Sequence, residues 1–225
     1  MKYFLDSAII GEICYAVENW GIDGVTTNPR HIRTSGKPFF SVIKEIAAAL
    51  KGTNLPVSAE INPHLDTVSS MADAGRRIAS LSENFVIKVP CTEQGLIAAR
   101  KLTAEGIRCN VTLVFTPSQA IAAARTGASF VSPFSSWKEA NGEDGVEYIK
   151  TIKNIYGNYG YKSQIIAAAI RDGAKITAFA QAGVDVVTCA FDVYKDSFYS
   201  PYTDFGIKFF SDAWDATEEG TIEDM

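Results

Sequence analysis

The chain has 225 residues, 47% of them hydrophobic, with 21 basic against 26 acidic side chains and a formal net charge of −5. That composition supports a folded core and excludes a disordered chain. The absence of any basic run longer than two residues argues against nucleic acid as a partner.

Asp6 and Glu12 interrupt the apolar N-terminus, making it a poor signal peptide. No apolar run approaches the ~18 residues of a membrane span. Four scattered cysteines (Cys14, Cys91, Cys109, Cys189) form no CxxC pair and read as free thiols of a cytoplasmic protein. Two histidines, His31 and His64, do not make a zinc cluster, so no metal and no cofactor are expected.

Taken in order, short apolar runs recur through the chain: KYFLD at 2–6, GVTTN at 24–28, PVSAEIN at 56–62 and FVIKVP at 85–90. RCNVTLVF at 108–115, SFVSPF at 129–134, QIIAAAI at 164–170 and DVVTCAF at 185–191 complete eight strand candidates. Helical spacing fills the intervals. Ile9, Ile13, Ala16 and Val17 share a face, as do Val42, Ile46 and Ala49, and Leu96, Ala99 and Leu102. Gly106 ends one helix, and Thr116 before Pro117 reads as a cap with proline at the first helical position.

Eight βα units in one series predict an α/β fold, a (β/α)8 barrel, with a doubly wound open sheet as runner-up. Residues 1–217 are expected to form one domain. Its last element is an additional C-terminal helix over 201–216 with an aromatic face of Phe205, Phe209, Phe210 and Trp214. The acidic tail 218–225 is expected to be disordered.

The run at 85–90 carries one lysine, Lys88. An ammonium on a doubly buried strand is costly, and a desolvated amine is a nucleophile toward carbonyls. A lysine head reaching water at a strand end is the other reading. Barrel active sites lie at the carboxyl ends of the strands. Asp6, Asn28, Glu60, Asn110, Thr112 and Ser132 fall there with Lys88, and Arg171 follows strand seven. Helix capping or turn formation would explain any one of them (Asp6 or Thr112 as caps, Asn28 before Pro29), but their gathering on one rim points to a site.

The segments FLDSA, GVTTNP, VSAEI, VIKVP, NVTLVF, SPF and SPYTDFGIKFF resemble the small-subunit transaldolases and their fructose-6-phosphate aldolase relatives, in the same order along nearly the whole chain. The resemblance implies that Lys88 forms a Schiff base with a ketose and that Asp6 moves the C4 hydroxyl proton. It also implies that Glu60 and Thr112 hold a water for proton transfer. Asn28, Asn110 and Ser132 match residues that bind the dihydroxyacetone hydroxyls. Glu60 and Phe134 follow the transaldolase pattern where the aldolase branch carries glutamine and tyrosine.

The chain departs from the family around its anion site. Trp137 stands where an arginine is usual, Ala169 replaces a serine, and Arg30 and His31 replace a serine and an aliphatic residue. Arg171 is the one usual anion contact that remains. The losses suit a singly charged group, so an anion pocket rebuilt from Arg30, Arg171, Ser135, Ser136 and Trp137 is expected to take the sulfonate of 6-deoxy-6-sulfofructose. Glyceraldehyde 3-phosphate is the expected acceptor. An ordinary transaldolase of fructose 6-phosphate or sedoheptulose 7-phosphate, a fructose-6-phosphate aldolase, and a non-catalytic sugar-binding barrel are the alternatives. The resemblance also implies a homo-oligomer, a pentamer or decamer joined through the C-terminal helix. No role is assigned to His31.

Overall fold

The computed structural model describes residues 1–219. Its strands are β1 (Lys2–Asp6), β2 (Gly24–Thr26), β3 (Val57–Glu60), β4 (Phe85–Pro90), β5 (Cys109–Val114), β6 (Phe130–Pro133), β7 (Gln164–Ile170) and β8 (Val186–Cys189). All pair in parallel, in sequence order, and β1 closes on β8. The result is the (β/α)8 barrel expected from the alternating runs. Among the described residues the principal outer helices are α1 (Ile10–Trp20), α3 (Phe39–Ala49), α4 (Val68–Ala79), α5 (Glu93–Ala104), α6 (Pro117–Ala124), α8 (Gly145–Tyr159), α9 (Gly173–Gln181) and α10 (Phe191–Ser197). Two short helices, α2 (Pro29–Thr34) and α7 (Ser135–Glu139), follow β2 and β6, and α11 (Pro201–Asp215) extends the chain.

The period-two alternation of strands separates two cores. Leu5, Val25, Ala59, Ile87, Val89, Val111 and Val131 pack outward against the helices. Phe4, Val86, Phe130, Ile166 and Val186 form a separate cluster inside the barrel. That inner layer plugs the end from which the strands start. A side chain at Gly24 would meet the Phe4 ring, with its Cβ 2.7 Å from the nearest ring atoms, so only glycine fits beside it. Two residues further along, four of these five inward positions turn polar: Asp6 after Phe4, Lys88 after Val86, Ser132 after Phe130 and Thr188 after Val186, with Ala168 after Ile166 the exception. The barrel is thus apolar at one end and polar at the other, and the polar end is the carboxyl end.

Local signals set the helix ends. Thr116 and Gln119 make a reciprocal capping box at α6 with Pro117 in its first turn. Thr92 caps α5, and Gly106 (φ 80°) lies just beyond its end. A Cβ on Gly95 would lie 2.0 Å from the Pro90 carbonyl oxygen, so this glycine lets α5 press against the end of the strand that carries Lys88.

Three expectations are corrected. Ile9 is not on the buried face of α1; it is the residue before that helix and is exposed. The strand beginning at Gly24 stops at Thr26, and the one beginning at Val57 stops at Glu60, because Asn28 and Asn62 turn the backbone with their side chains. The C-terminal helix forms as expected, over 201–215, and none of its residues is buried. Of the acidic tail, residues 220–225 lie outside the described residues. No helix among the described residues is long and apolar enough to cross a membrane.

Candidate active site

The barrel register places the rim residues at matching heights. Glu60 lies beside Lys88, Lys88 beside Asn110, and Thr112 beside Pro90. Lys88 is 5% exposed, so the water-reaching reading of its head fails. Its Nζ lies 3.1 Å from Glu60 Oε2 and donates to the Thr27 carbonyl at 3.2 Å. Lys88 is buried and Glu60 only partly exposed, and removing one partner of a pair so shielded costs up to about 3–5 kcal/mol, since the survivor is left uncompensated.

Beside this pair runs a chain of neutral hydrogen bonds. Ser132 Oγ donates to Asn110 Oδ1 at 2.8 Å, and Asn110 Nδ2 donates to Ser58 Oγ at 3.0 Å. All three residues are buried. Thr112 is fully buried, and its Oγ1 has no hydrogen-bond partner among the described residues. The register of β5 against β6 slips between Val111 and Val114, and Leu113 there has φ 57°. A bulge with a bulky residue in the left-handed region is strained, and it re-aims the side chains at the strand end. A second slip, between Ala167 and Ile170 on β7, carries Ala169 at φ 63°.

Asp6 faces the same mouth from β1. Thr188 and Thr26 are joined at 2.6 Å, and Thr26 Oγ1 donates to Asp6 Oδ1 at 2.7 Å. The other carboxylate oxygen, Oδ2, lies 3.1 Å from His31 Nε2. Burial alone would raise the Asp6 pKa. The His31 hydrogen bond and charge, the Lys88 charge and the Thr26 donor outweigh it and hold the carboxyl below its ordinary value.

Asn28 is half-buried and caps α2, its Oδ1 accepting from the His31 backbone N–H at 3.0 Å. Sequence reasoning did not find His31, Thr26, Thr27 or Ser58. The signal for His31 was its place in the first turn of a helix capped by Asn28, directly after a barrel strand.

The residues expected around an anion divide into two groups. Ser135 and Ser136 are buried in the first turn of α7, and Ser136 Oγ has no hydrogen-bond partner among the described residues. Trp137 follows them, 54% exposed, its ring 5.8 Å from Phe115 and 5.5 Å from Phe134 between centroids. The helix is tied down by Lys138 to Glu143 and by Glu139 to Lys175 of α9. Arg171 is exposed at the end of the adjacent strand β7. Arg30 is exposed on α2, after β2, which stands opposite β6 in the closed strand order. The structure therefore gathers Ser135, Ser136, Trp137 and Arg171 on one rim and sets Arg30 on the other.

Fold and rim together define a class: a (β/α)8 barrel with a buried lysine–carboxylate pair and a second, clamped carboxylate at its carboxyl end. Residues 3–223 match the transaldolase/fructose-6-phosphate aldolase family, and the chain belongs to it. It is 60% identical over 218 residues, 96% of each chain, to the 6-deoxy-6-sulfo-D-fructose transaldolases of Priestia aryabhattai and Priestia megaterium. A probable transaldolase of a Hydrogenobaculum species is 44% identical over 216 residues, 96% of this chain and 97% of that one. Among solved structures, thiamine phosphate pyrophosphorylase from Pyrococcus furiosus superposes with a TM-score of 0.62 at 14% identity, over 87% of this chain and 90% of that one, a likeness of fold alone.

Proposed function

We propose that the protein is a Schiff-base transaldolase that moves a dihydroxyacetone unit from 6-deoxy-6-sulfofructose to an aldehyde such as glyceraldehyde 3-phosphate. The observation that carries the chemistry is the buried Lys88–Glu60 pair. Transfer of the ammonium proton to Glu60 leaves an amine that adds to the C2 carbonyl of the ketose. The resulting carbinolamine loses water, and the proton this needs comes back from Glu60 through a water held with the Thr112 hydroxyl. The iminium then takes up the electrons of the C3–C4 bond as Asp6 accepts the C4 hydroxyl proton. One aldehyde leaves, and the bound enamine attacks the second. Asn110 and Ser132, already bonded to each other, present fixed groups to the dihydroxyacetone hydroxyls, and Asn28, after β2, is the third residue assigned to them.

The donor is assigned from the relatives that act on sulfofructose and from the composition of the α7 rim. Trp137 offers one neutral N–H, the Ser136 hydroxyl is uncommitted, and Arg171 supplies one charge, a set suited to a monoanionic sulfonate. Arg30 adds charge from the opposite rim. The single-domain reading over 1–217 rests on the closed barrel with α11 as its appended arm. The oligomer reading rests on α11, whose Phe205, Phe209, Phe210 and Trp214 are all more than half exposed. A second copy of the chain is the partner proposed for that face.

Two measurements test the proposal. Borohydride treatment with a ketose is expected to add the sugar to Lys88, and absence of an adduct overturns the Schiff-base reading. Comparison of sulfofructose and fructose 6-phosphate as donors is expected to favour sulfofructose in kcat/KM by tenfold or more, about 1.4 kcal/mol. A preference for the phosphate would return the chain to the ordinary transaldolases.

A further inference from the structure

The geometry points to His31 as a positioning residue for Asp6, an inference that rests on the proposed role of Asp6 as the base for the C4 hydroxyl. A carboxylate that must take a proton from one hydroxyl in one direction works best when it cannot rotate. Here both of its oxygens are held from the protein side. Thr26 donates to Oδ1 at 2.7 Å and receives its own hydrogen bond from Thr188 at 2.6 Å. His31 holds Oδ2 at 3.1 Å, and because that oxygen can only accept, Nε2 is the nitrogen that carries the proton. Each carboxylate oxygen has a second lone pair, so the clamp fixes Asp6 without using up its basicity.

The imidazole is itself placed by the backbone. The backbone N–H of His31 donates to Asn28 Oδ1 at 3.0 Å, in the first turn of the six-residue helix α2. Asn28, the helix start, His31 and Asp6 are therefore one connected unit spanning β1 and β2. His31 is also a charge whenever its ring is protonated. The groups that face the pair are Lys88 from β4, Cys189 at the end of β8, Glu12 from α1 and Asp192 from α10, with Arg30 and Arg33 on the histidine's own helix. His31 is the one of these within hydrogen-bond reach of Asp6.

The sign of the effect follows. Removing His31 takes away both a donor and a positive neighbour that hold the Asp6 carboxyl below its ordinary value. Its pKa then rises, and the acid limb of the kcat/KM profile moves to higher pH, because Asp6 must be ionised to accept the proton. In His31→Leu the acid limb is expected to move up by roughly 1 pH unit, within the 1–3 units a nearby opposite charge commands. Above that limb kcat is expected to fall about tenfold, a fraction of the 10²–10⁴ a positioned acid–base group supplies. KM is expected to change little. His31→Gln keeps an N–H donor but not the imidazole's charge, so it is expected to restore most of kcat and to displace the limb by less than His31→Leu does.

The experiment measures kcat/KM against pH for the wild type and both variants, with borohydride trapping on Lys88 and thermal melting as parallel readouts. A histidine that only packs would lower activity or melting temperature and leave the limb where it was. An unchanged limb in His31→Leu that still traps substrate overturns this inference and leaves the proposed function standing. Failure of the wild type to trap overturns the proposed function, and this inference with it.

Discussion

The two sides of the barrel mouth hold their polar groups in opposite ways. Across β3 to β6, Glu60, Lys88, Asn110 and Ser132 are buried or nearly so, and each bonds to a neighbour along or across the strands. Their positions are set by the same inward alternation that stacks Phe4, Val86 and Phe130 below them. On the α7 and β7 side, Trp137 and Arg171 are exposed and stand on a short helix and a strand end. The first arrangement is what bond-making needs: groups that do not reorganise when charge moves. The second can change by substitution without disturbing the barrel, and specificity can change there independently of the chemistry.

The largest effect expected is on the buried side. Lys88→Met removes the nucleophile, so no borohydride adduct forms and turnover falls to background. Glu60 is left unpaired in a largely shielded position, which lowers stability by up to about 3 kcal/mol in urea unfolding. Next is Asp6→Asn, which keeps the shape and removes the base. It is expected to lower kcat by about 10²–10⁴ while binding still allows the adduct at Lys88 to form.

Ser132→Ala strips one member of the neutral chain and leaves Asn110 Oδ1 without its donor. It is expected to cost about 1–3 kcal/mol of stability. On the exposed side, Trp137→Arg is expected to leave melting and trapping unchanged and to move the sulfonate-to-phosphate preference about tenfold toward phosphate, or about 1.4 kcal/mol. Arg30→Ala is expected to act in the same assay by weakening both donors, since its charge stands across the mouth. If Trp137→Arg instead lowered stability as much as Ser132→Ala, the contrast between the two sides would fail.

The barrel was legible in the sequence because its signals are local and repeated. The runs at 2–6, 85–90 and 164–170 match β1, β4 and β7 residue for residue. In β2 and β3 the run overshot the strand because an asparagine, Asn28 or Asn62, had been counted into it although its side chain was making the turn that ends it. Lys88 was visible as a charge in an apolar run, and Asp6, Glu60 and Thr112 as polar residues at strand ends, with their roles coming from family resemblance. His31 was not, since its contact with Asp6 joins β1 to a helix 25 residues later (31 − 6 = 25), and its place behind Asn28 at the start of α2 does not by itself name that partner. Nor does sequence show that Arg30 and Trp137 stand on opposite sides of the mouth. That follows from the order of strands in a closed sheet, which periodicity does not contain.

The closure of β1 on β8 has a consequence for how the protein is made. Lys2 pairs with Val186, residues 184 apart in the chain (186 − 2 = 184). The strand that bears Asp6 is synthesised early, yet one of its edges has no partner until β8 has left the ribosome. At about 5–20 residues per second that interval is roughly 10–40 s. For that time the carboxylate that will move a proton sits on an open sheet edge, a surface able to pair with a passing strand. The active site is therefore completed by the last pairing of the barrel, and a growing chain has no closed catalytic pocket until β8 has joined β1.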